Sequence, residues 1–78
     1  MNARRLPAVS GKAAVKALQR GGFTLRHIRG SHHVMIHPGP PGRMVSVPVH
    51  ANRSLPAGTL LGILDEAGFT IDEFVALL

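Results

Sequence analysis

Histidine is the residue type in this chain whose spacing most directly suggests chemistry. Three of the five histidines, His32, His33 and His37, lie within six residues, in a segment that begins at Gly30 and ends at Pro38. Imidazole can transfer protons near neutral pH, bind a metal ion or activate a serine hydroxyl. The segment therefore raises the hypotheses of a proton-transfer site, a metal site, a serine hydrolase site or a strand with structural histidines.

A metal site is disfavoured by the spacing of the histidines. His33 and His37 are four residues apart, which on a strand separates them by roughly 13 Å, at about 3.3 Å per residue. Metal–nitrogen bonds near ~2 Å cannot bridge that distance. His32 or His33 together with His50 remains geometrically open, but there is no cysteine and no acid nearby in the sequence. We expect no metal and no other cofactor.

A serine hydrolase site is also disfavoured. Ser31 and His32 are adjacent on a predicted strand, so their side chains point to opposite faces. All four acids lie in the last fourteen residues, so we expect no acid beside the histidines. Cleavage of RNA remains, because its own 2′-hydroxyl is the nucleophile and one histidine can act as general acid or base. The residues alone still favour a structural histidine over a catalytic one.

The charge of the chain is uneven. Nine Lys and Arg residues against four acids give a net charge of +5, and residues 1–53 hold every base and no acid. Such a basic segment favours a polyanionic partner, since neutralised phosphates release counterions. The alternative is a basic surface that serves solubility alone. Nucleic acid is the partner that this asymmetry predicts.

The chain's N-terminus and its lack of cysteine bear on location. Arg4 and Arg5 are not followed by a long apolar run, and Pro7 interrupts the segment. We therefore expect neither a signal peptide nor a membrane span. The absence of cysteine excludes a disulfide scaffold and is compatible with a reducing cytoplasm.

Helices are predicted on both sides of the histidine segment. Ser10 is a suitable N-cap for a helix from Lys12 to Arg20. A second helix is expected between Pro56 and Gly68, and a short third helix from Thr70 to Leu78, where Thr70 and Glu73 have capping-box spacing. The basic residues of the first helix form one row: Lys12, Lys16 and Arg20. The predicted inward residues of the second helix are Leu60, Ile63, Leu64 and Ala67. Those of the third helix are expected to point inward or against a partner: Ile71, Phe74, Val75 and Leu78.

Three strands are predicted between the helices, and they must position the histidines. They are 23–29, 32–37 and 44–49, with a loop at 38–42. Ile28 breaks the apolar alternation of the first strand, which suggests a bulge or an end of pairing. Val34 and Ile36 should share a face with His32, and Met35 and His37 should share the other face with His33. Pro48 confines the third strand to an edge of the sheet or ends its ladder of hydrogen bonds. The order indicates an α+β domain.

The chain resembles the HicA toxins of bacterial toxin–antitoxin systems. The resemblance rests on several short segments in the same order and at the right spacing: Ser10-Gly11-Lys12, Gly22-Phe23, Gly30-Ser31-His32-His33, Val47-Pro48-Val49-His50, Gly58-Thr59-Leu60, Ile63-Leu64 and Ala67-Gly68. The chain departs from the family at Leu61-Gly62 and at Asp65-Glu66, where the family is commonly more basic, and it fits less well from Thr70 onward.

The resemblance implies a fold and an activity. The implied fold is α+β and similar to a double-stranded-RNA-binding domain, α-β-β-β-α with a three-stranded antiparallel sheet, plus a short C-terminal helix, in one domain over residues 1–78. The implied activity is that of a metal-independent endoribonuclease acting on mRNA in the bacterial cytoplasm, neutralised by a HicB antitoxin. The histidine after Gly-Ser is the implied catalytic residue, here His32. The candidate RNA-binding residues are Lys12, Lys16, Arg26, Arg29, Gly30, Ser31, His33 and His50.

Two other functions share these sequence features. A non-catalytic RNA-binding module of the same fold would have the same charge distribution. A protein-binding domain would use the histidine segment only as a strand. Three outcomes separate these functions: RNA cleavage, RNA binding without cleavage, and no RNA binding.

Overall fold

The computed structural model describes residues 5–78, and Arg4, part of the expected basic N-terminus, lies outside this range. The elements follow the order helix, three strands, helix, helix, which confirms the predicted α-β-β-β-α arrangement with a further C-terminal helix. Their bounds are α1 Gly11–Arg20, β1 Thr24–Arg29, β2 His32–His37, β3 Arg43–Pro48, α2 Ala57–Ala67 and α3 Ile71–Leu77.

The first helix ends at Arg20, as predicted, and begins at Gly11, one residue before the predicted start. The Ser10 hydroxyl accepts a hydrogen bond from the Ala13 amide at 3.1 Å and so caps the N-terminus of α1. Gly21 follows the last residue of α1. The apolar face of the helix is buried, whereas Lys12 and Lys16 are exposed. The helix therefore contributes to the core with one face and carries its charges on another.

The sheet is antiparallel with the strand order β1-β2-β3, so β3 lies at an edge, as Pro48 predicts. A two-residue turn, Gly30-Ser31, joins β1 to β2 and pairs Arg29 with His32. Gly30 has a φ of 59°, the sign required at the first central residue of a type II′ hairpin turn. The conformation of this turn explains the glycine and fixes which residues of the two strands share a face.

The predicted irregularity in the first strand is confirmed as a bulge at Arg26. Leu25 pairs with Met35 and His27 pairs with Val34, so one extra residue stands between the two pairs. Beyond the bulge Ile28 is paired with His33. Leu25 and Ile28 thus share the Met35 face of the sheet although an odd number of steps separates them.

One face of the sheet carries the core. Met35, Val45 and Val47 are at most 1% exposed, and all three helices supply residues to the same cluster. We call this the helix side of the sheet and the opposite one the open face. The other buried members of the core are Val9, Ala14, Val15, Ala17, Leu18, Phe23, Leu55, Leu60, Ile63, Leu64, Ala67 and Phe74.

The C-terminal helices follow the sequence with one correction. Leu60, Ile63, Leu64 and Ala67 form the buried face of α2, as predicted. The capping box is present: Glu73 donates its amide to the Thr70 hydroxyl and accepts from the Thr70 amide.

Of the two orientations expected for Leu78, inward or against a partner, the inward one is wrong. Leu78 is 46% exposed, and Leu77 packs against the core in its place. Helix α3 ends at Leu77, so helical periodicity no longer determines the direction of Leu78.

Candidate active site on the open face of the sheet

A shallow depression on the open face brings together residues from β1, β2, β3 and α2. Strand register produces it, because directly paired residues point to the same side of a sheet. His32 is paired with Arg29, and Val34 is paired with His27 on one side and Ser46 on the other. The lining residues are His27, Arg29, His32, Val34, Met44, Ser46 and Glu66.

His32 occupies the first position of β2 and is exposed. It lies between Arg29 of β1 and Pro48 of β3, both of which are paired directly with it. Side chains in such pairs have Cβ atoms about 4.5–5.5 Å apart. The structure therefore places a permanent cation beside an accessible imidazole, an arrangement that suits a bound phosphate group.

His27 is a site residue that the sequence analysis did not single out. It is exposed and lies on the open face two residues from Arg29, diagonal to His32. If side chains alternated regularly from Leu25 onward, His27 would lie on the helix side. The extra residue at Arg26 reverses the alternation and places His27 on the open face. The break in alternation at Ile28 was the signal available in the sequence.

The expectation that no acid lies near the histidines is wrong. Glu66, near the end of α2, lines the same depression as His32, and so does Ser46 of β3. A triad would need serine-to-histidine and histidine-to-acid hydrogen bonds, and neither is present within residues 5–78. The nearby serine is Ser46 rather than Ser31, and it is not arranged as a nucleophile.

The potential metal ligands of this chain do not converge. The depression contains three such side chains, His27, His32 and Glu66. In the part of the chain that the structure describes, however, no three His, Cys, Asp or Glu side chains are placed to hold one ion.

His33 and His37 lie on the helix side, away from His32. The Nδ1 atom of His37 accepts a hydrogen bond from the Gly39 amide at 2.9 Å, and its ring lies 5.1 Å from that of Phe23. These contacts make His37 a structural residue. His33 is half-buried, and its Nδ1 atom is buried without a hydrogen-bond partner in the described structure.

His50 belongs to a neighbouring depression. Pro48, the residue paired with His32, also lines this second depression. The second depression therefore begins at the residue paired with His32. The second one is lined by Pro48, His50, Arg53, Ser54, Leu55, Pro56 and Thr59.

A hydrogen bond at Ser31 holds the Gly30-Ser31 turn in place before His32. The Ser31 carbonyl accepts a hydrogen bond from the Val49 amide at 2.7 Å. A Cβ atom added at Gly30 would meet no atom within 4 Å. The turn is thus anchored to the segment after β3 and is open to solvent at Gly30.

The remaining basic candidates are not all on the open face. Arg26 is exposed at the bulge of β1. Lys12 and Lys16 are exposed on α1, which packs on the helix side. A Cβ atom on Gly11 would collide with the Pro48 carbonyl, so Lys12 lies near the end of the sheet that carries His32, and Lys16 lies about one helical turn further away.

Comparison with known proteins identifies the family. Residues 11–69 match the HicA toxin family of bacterial toxin–antitoxin systems. Since the match covers most of the chain, the protein belongs to this family, which implies a cognate antitoxin partner. Helix α3 lies beyond the matched residues. A search of curated proteins finds no significant match.

The described helices are all too short or too polar to cross a membrane.

Proposed function

We propose that this HicA-family chain is an endoribonuclease that cleaves mRNA in the bacterial cytoplasm and is neutralised by a HicB-type antitoxin. Membership of the toxin family supports this proposal at the level of the whole chain. The observation that carries it at the level of the site is the direct pairing of an exposed histidine, His32, with Arg29 on the open face.

The proposed reaction needs no protein nucleophile. The 2′-oxygen of a ribose attacks the adjacent phosphorus and loses its proton, while the bond from phosphorus to the 5′-oxygen breaks and that oxygen gains a proton. The products are a 2′,3′-cyclic phosphate and a 5′-hydroxyl end. His32 acts as the general base or the general acid, a role worth roughly 10²–10⁴ in rate. No metal or cofactor takes part in the proposed step.

Arg29 has the electrostatic role in this proposal. Negative charge accumulates on the non-bridging phosphate oxygens as the fifth bond to phosphorus forms. A guanidinium beside the imidazole stabilises these oxygens through its positive charge and through hydrogen bonds. The position of Arg29, paired directly with His32, suits this role.

The flanking nucleotides need further contacts. The open turn at Gly30-Ser31 lets the RNA backbone approach His32, and Arg26 supplies a cation on the same strand as Arg29. Beyond Pro48, His50 lines a second depression in which the chain of phosphates can continue. Lys12 and Lys16 of α1 are reached by RNA that passes around the end of the sheet, and the half-buried His33 supports β2 from the helix side.

The test is cleavage of RNA in the presence of a chelator. Wild-type protein, His32→Ala and Thr24→Ala are incubated in substoichiometric amounts with labelled RNA and EDTA. Thr24 is an exposed residue of the open face outside the depression and serves as the control. We expect cleavage by wild type and Thr24→Ala, and loss of cleavage with retained circular dichroism for His32→Ala.

Two results would contradict the proposal in different ways. Equal cleavage by His32→Ala would remove His32 from the reaction. Intact RNA after long incubation with wild type, together with binding that weakens steeply with salt, would instead identify a non-catalytic RNA-binding module.

A further inference from the structure

We propose that His27 is a second proton-transfer residue, which works with His32 on the same phosphodiester. This inference rests on the proposed function, and it adds a residue to the reaction. His27 and His32 are the two histidines that line the depression on the open face. The other three lie elsewhere: His33 and His37 on the helix side, and His50 in the neighbouring depression.

The distance between the two histidines suits one phosphate group. His32 pairs directly with Arg29, and His27 is two residues before Arg29 on the same strand. Such diagonal neighbours on adjacent strands have Cα atoms about 7–8 Å apart, close enough for long side chains to approach one another. Arg29 lies on the same face, directly across from His32 and two residues from His27, so a phosphate bound to its guanidinium is within reach of both imidazoles.

Both imidazoles are free to transfer protons. Neither His27 nor His32 makes a hydrogen bond or ion pair to another group within residues 5–78, and both are exposed. His37 differs, since its Nδ1 atom is occupied by the Gly39 amide. A structural role of the kind seen for His37 therefore does not account for His27.

The reaction involves two proton transfers, and a second histidine can carry out one of them. Cleavage moves one proton away from the attacking 2′-oxygen and delivers one proton to the departing 5′-oxygen, and these oxygens lie on opposite sides of the phosphorus. One residue cannot easily reach both. Imidazole suits both transfers because it gains and loses protons near neutral pH. One histidine accepts the first proton as neutral imidazole, and the other donates the second as imidazolium.

Two other polar residues of the depression are weaker candidates for this role. Ser46 has a hydroxyl, which is a poor acid and a poor base. Glu66 comes from α2 rather than from the strands that hold Arg29 and His32. His27 is therefore the residue that best completes the reaction.

The experiment compares two RNA substrates that differ in the leaving atom. One is a short RNA with an ordinary 5′-oxygen at the cleavage position, and the other has sulfur in place of that bridging oxygen. A thiolate departs without being protonated, so a variant that lacks only the general acid recovers its rate on the sulfur substrate. Wild type, His27→Ala, His32→Ala and the control Thr24→Ala are measured on both.

On the oxygen substrate we expect His27→Ala and His32→Ala each to be slower than wild type by roughly 10²–10⁴-fold. On the sulfur substrate one of the two variants should recover and the other should stay slow. Affinity for an uncleavable RNA with a 2′-deoxy sugar at the scissile position should stay close to wild type in His27→Ala. Circular dichroism and His27→Gln check that a lost rate is not a lost fold.

The outcomes separate this inference from the proposed function. If His32→Ala is slow but His27→Ala cleaves the oxygen substrate at the wild-type rate, the inference about His27 is wrong and the function stands. If neither variant recovers its cleavage rate on the sulfur substrate, the assignment of one histidine as general acid and the other as general base is also wrong. If wild type cuts neither substrate, the proposed function itself fails.

Discussion

Arg20, the last residue of α1, donates a hydrogen bond from Nη1 to the carbonyl of Leu77 at 2.9 Å, and the Leu78 carbonyl lies 3.3 Å from the same atom. The guanidinium thus binds carbonyls at the C-terminal end of α3 and joins the first helix to the last. A cation in this position also interacts favourably with the helix dipole. Arg20 therefore differs from Lys12 and Lys16, although all three form one row in the sequence.

Replacing Arg20 tests this difference. Arg20→Ala should lower the free energy of unfolding by about 1 kcal/mol, because the carbonyls at the end of α3 lose a charged donor. The matched control is Lys16→Ala in the same exposed row, which should change it by less than about 0.5 kcal/mol. Urea denaturation followed by circular dichroism measures both. Equal effects of the two substitutions would contradict a special role for Arg20.

Substitution of one methionine on each face of the sheet tests the difference in burial between the two faces. The two methionines lie on adjacent strands. Met35 is 0% exposed on the helix side, and Met44 is 60% exposed on the open face. Met35→Ala should cost about 2–5 kcal/mol of unfolding free energy, because it removes buried contacts and leaves a cavity. Met44→Ala should cost less than about 0.5 kcal/mol. A large cost at Met44 in thermal or urea unfolding would show that the open face is covered.

Two glycines of the α2 region should respond to alanine in opposite ways. Gly62 lies inside the helix, and a Cβ atom there meets nothing within 4 Å. Gly62→Ala should therefore stabilise the fold by about 0.5–1 kcal/mol.

Gly68 is the contrasting position, since it caps α2 with a φ of 78° and a Cβ atom there would lie 2.6 Å from Cζ of Arg43. Gly68→Ala should destabilise the fold by about 1–2 kcal/mol through the left-handed backbone alone. Displacement of Arg43, which donates to the Glu66 carbonyl at 3.2 Å, adds to that cost. Melting temperatures that shift in the same direction for both variants would contradict this account.

Local patterns in the sequence were sufficient to predict the elements. The Thr70 capping box, the Ser10 N-cap and the buried face that begins at Leu60 depend on residues within one or two helical turns of each other. The break in alternation at Ile28 likewise has a local cause, the bulge at Arg26. Each of these predictions is confirmed because the interactions that determine it lie within a short stretch of chain.

The site was harder to predict because it depends on contacts between distant segments. His27 joins His32 only after the hairpin register and the bulge have both been specified. Glu66 reaches the same depression through the packing of α2 beside β3, which no local pattern in the sequence encodes. The residue types that could transfer protons were visible in the sequence, whereas their grouping was not.

The separation of the basic residues between two faces leads to a graded prediction for RNA binding. His32→Ala serves as a background that does not cleave, and Arg29→Ala, Lys12→Ala and Lys16→Ala are added to it singly. Arg29→Ala should weaken binding most, since Arg29 lies on the open face beside His32. Lys12→Ala should have a smaller effect and Lys16→Ala the smallest, because α1 lies on the helix side and Lys16 is further from the end of the sheet next to Pro48.

The salt dependence of binding distinguishes a lost phosphate contact from a general loss of charge. Each contact to single-stranded RNA contributes about 0.7 to the slope of log affinity against log salt concentration. Arg29→Ala should reduce that slope by about this amount, whereas Lys16→Ala should reduce it by less, although both remove one positive charge. Fluorescence anisotropy at several salt concentrations measures the slopes. Equal reductions for both variants would mean that RNA contacts the helix side as closely as the open face, and the proposed path of the RNA would be wrong.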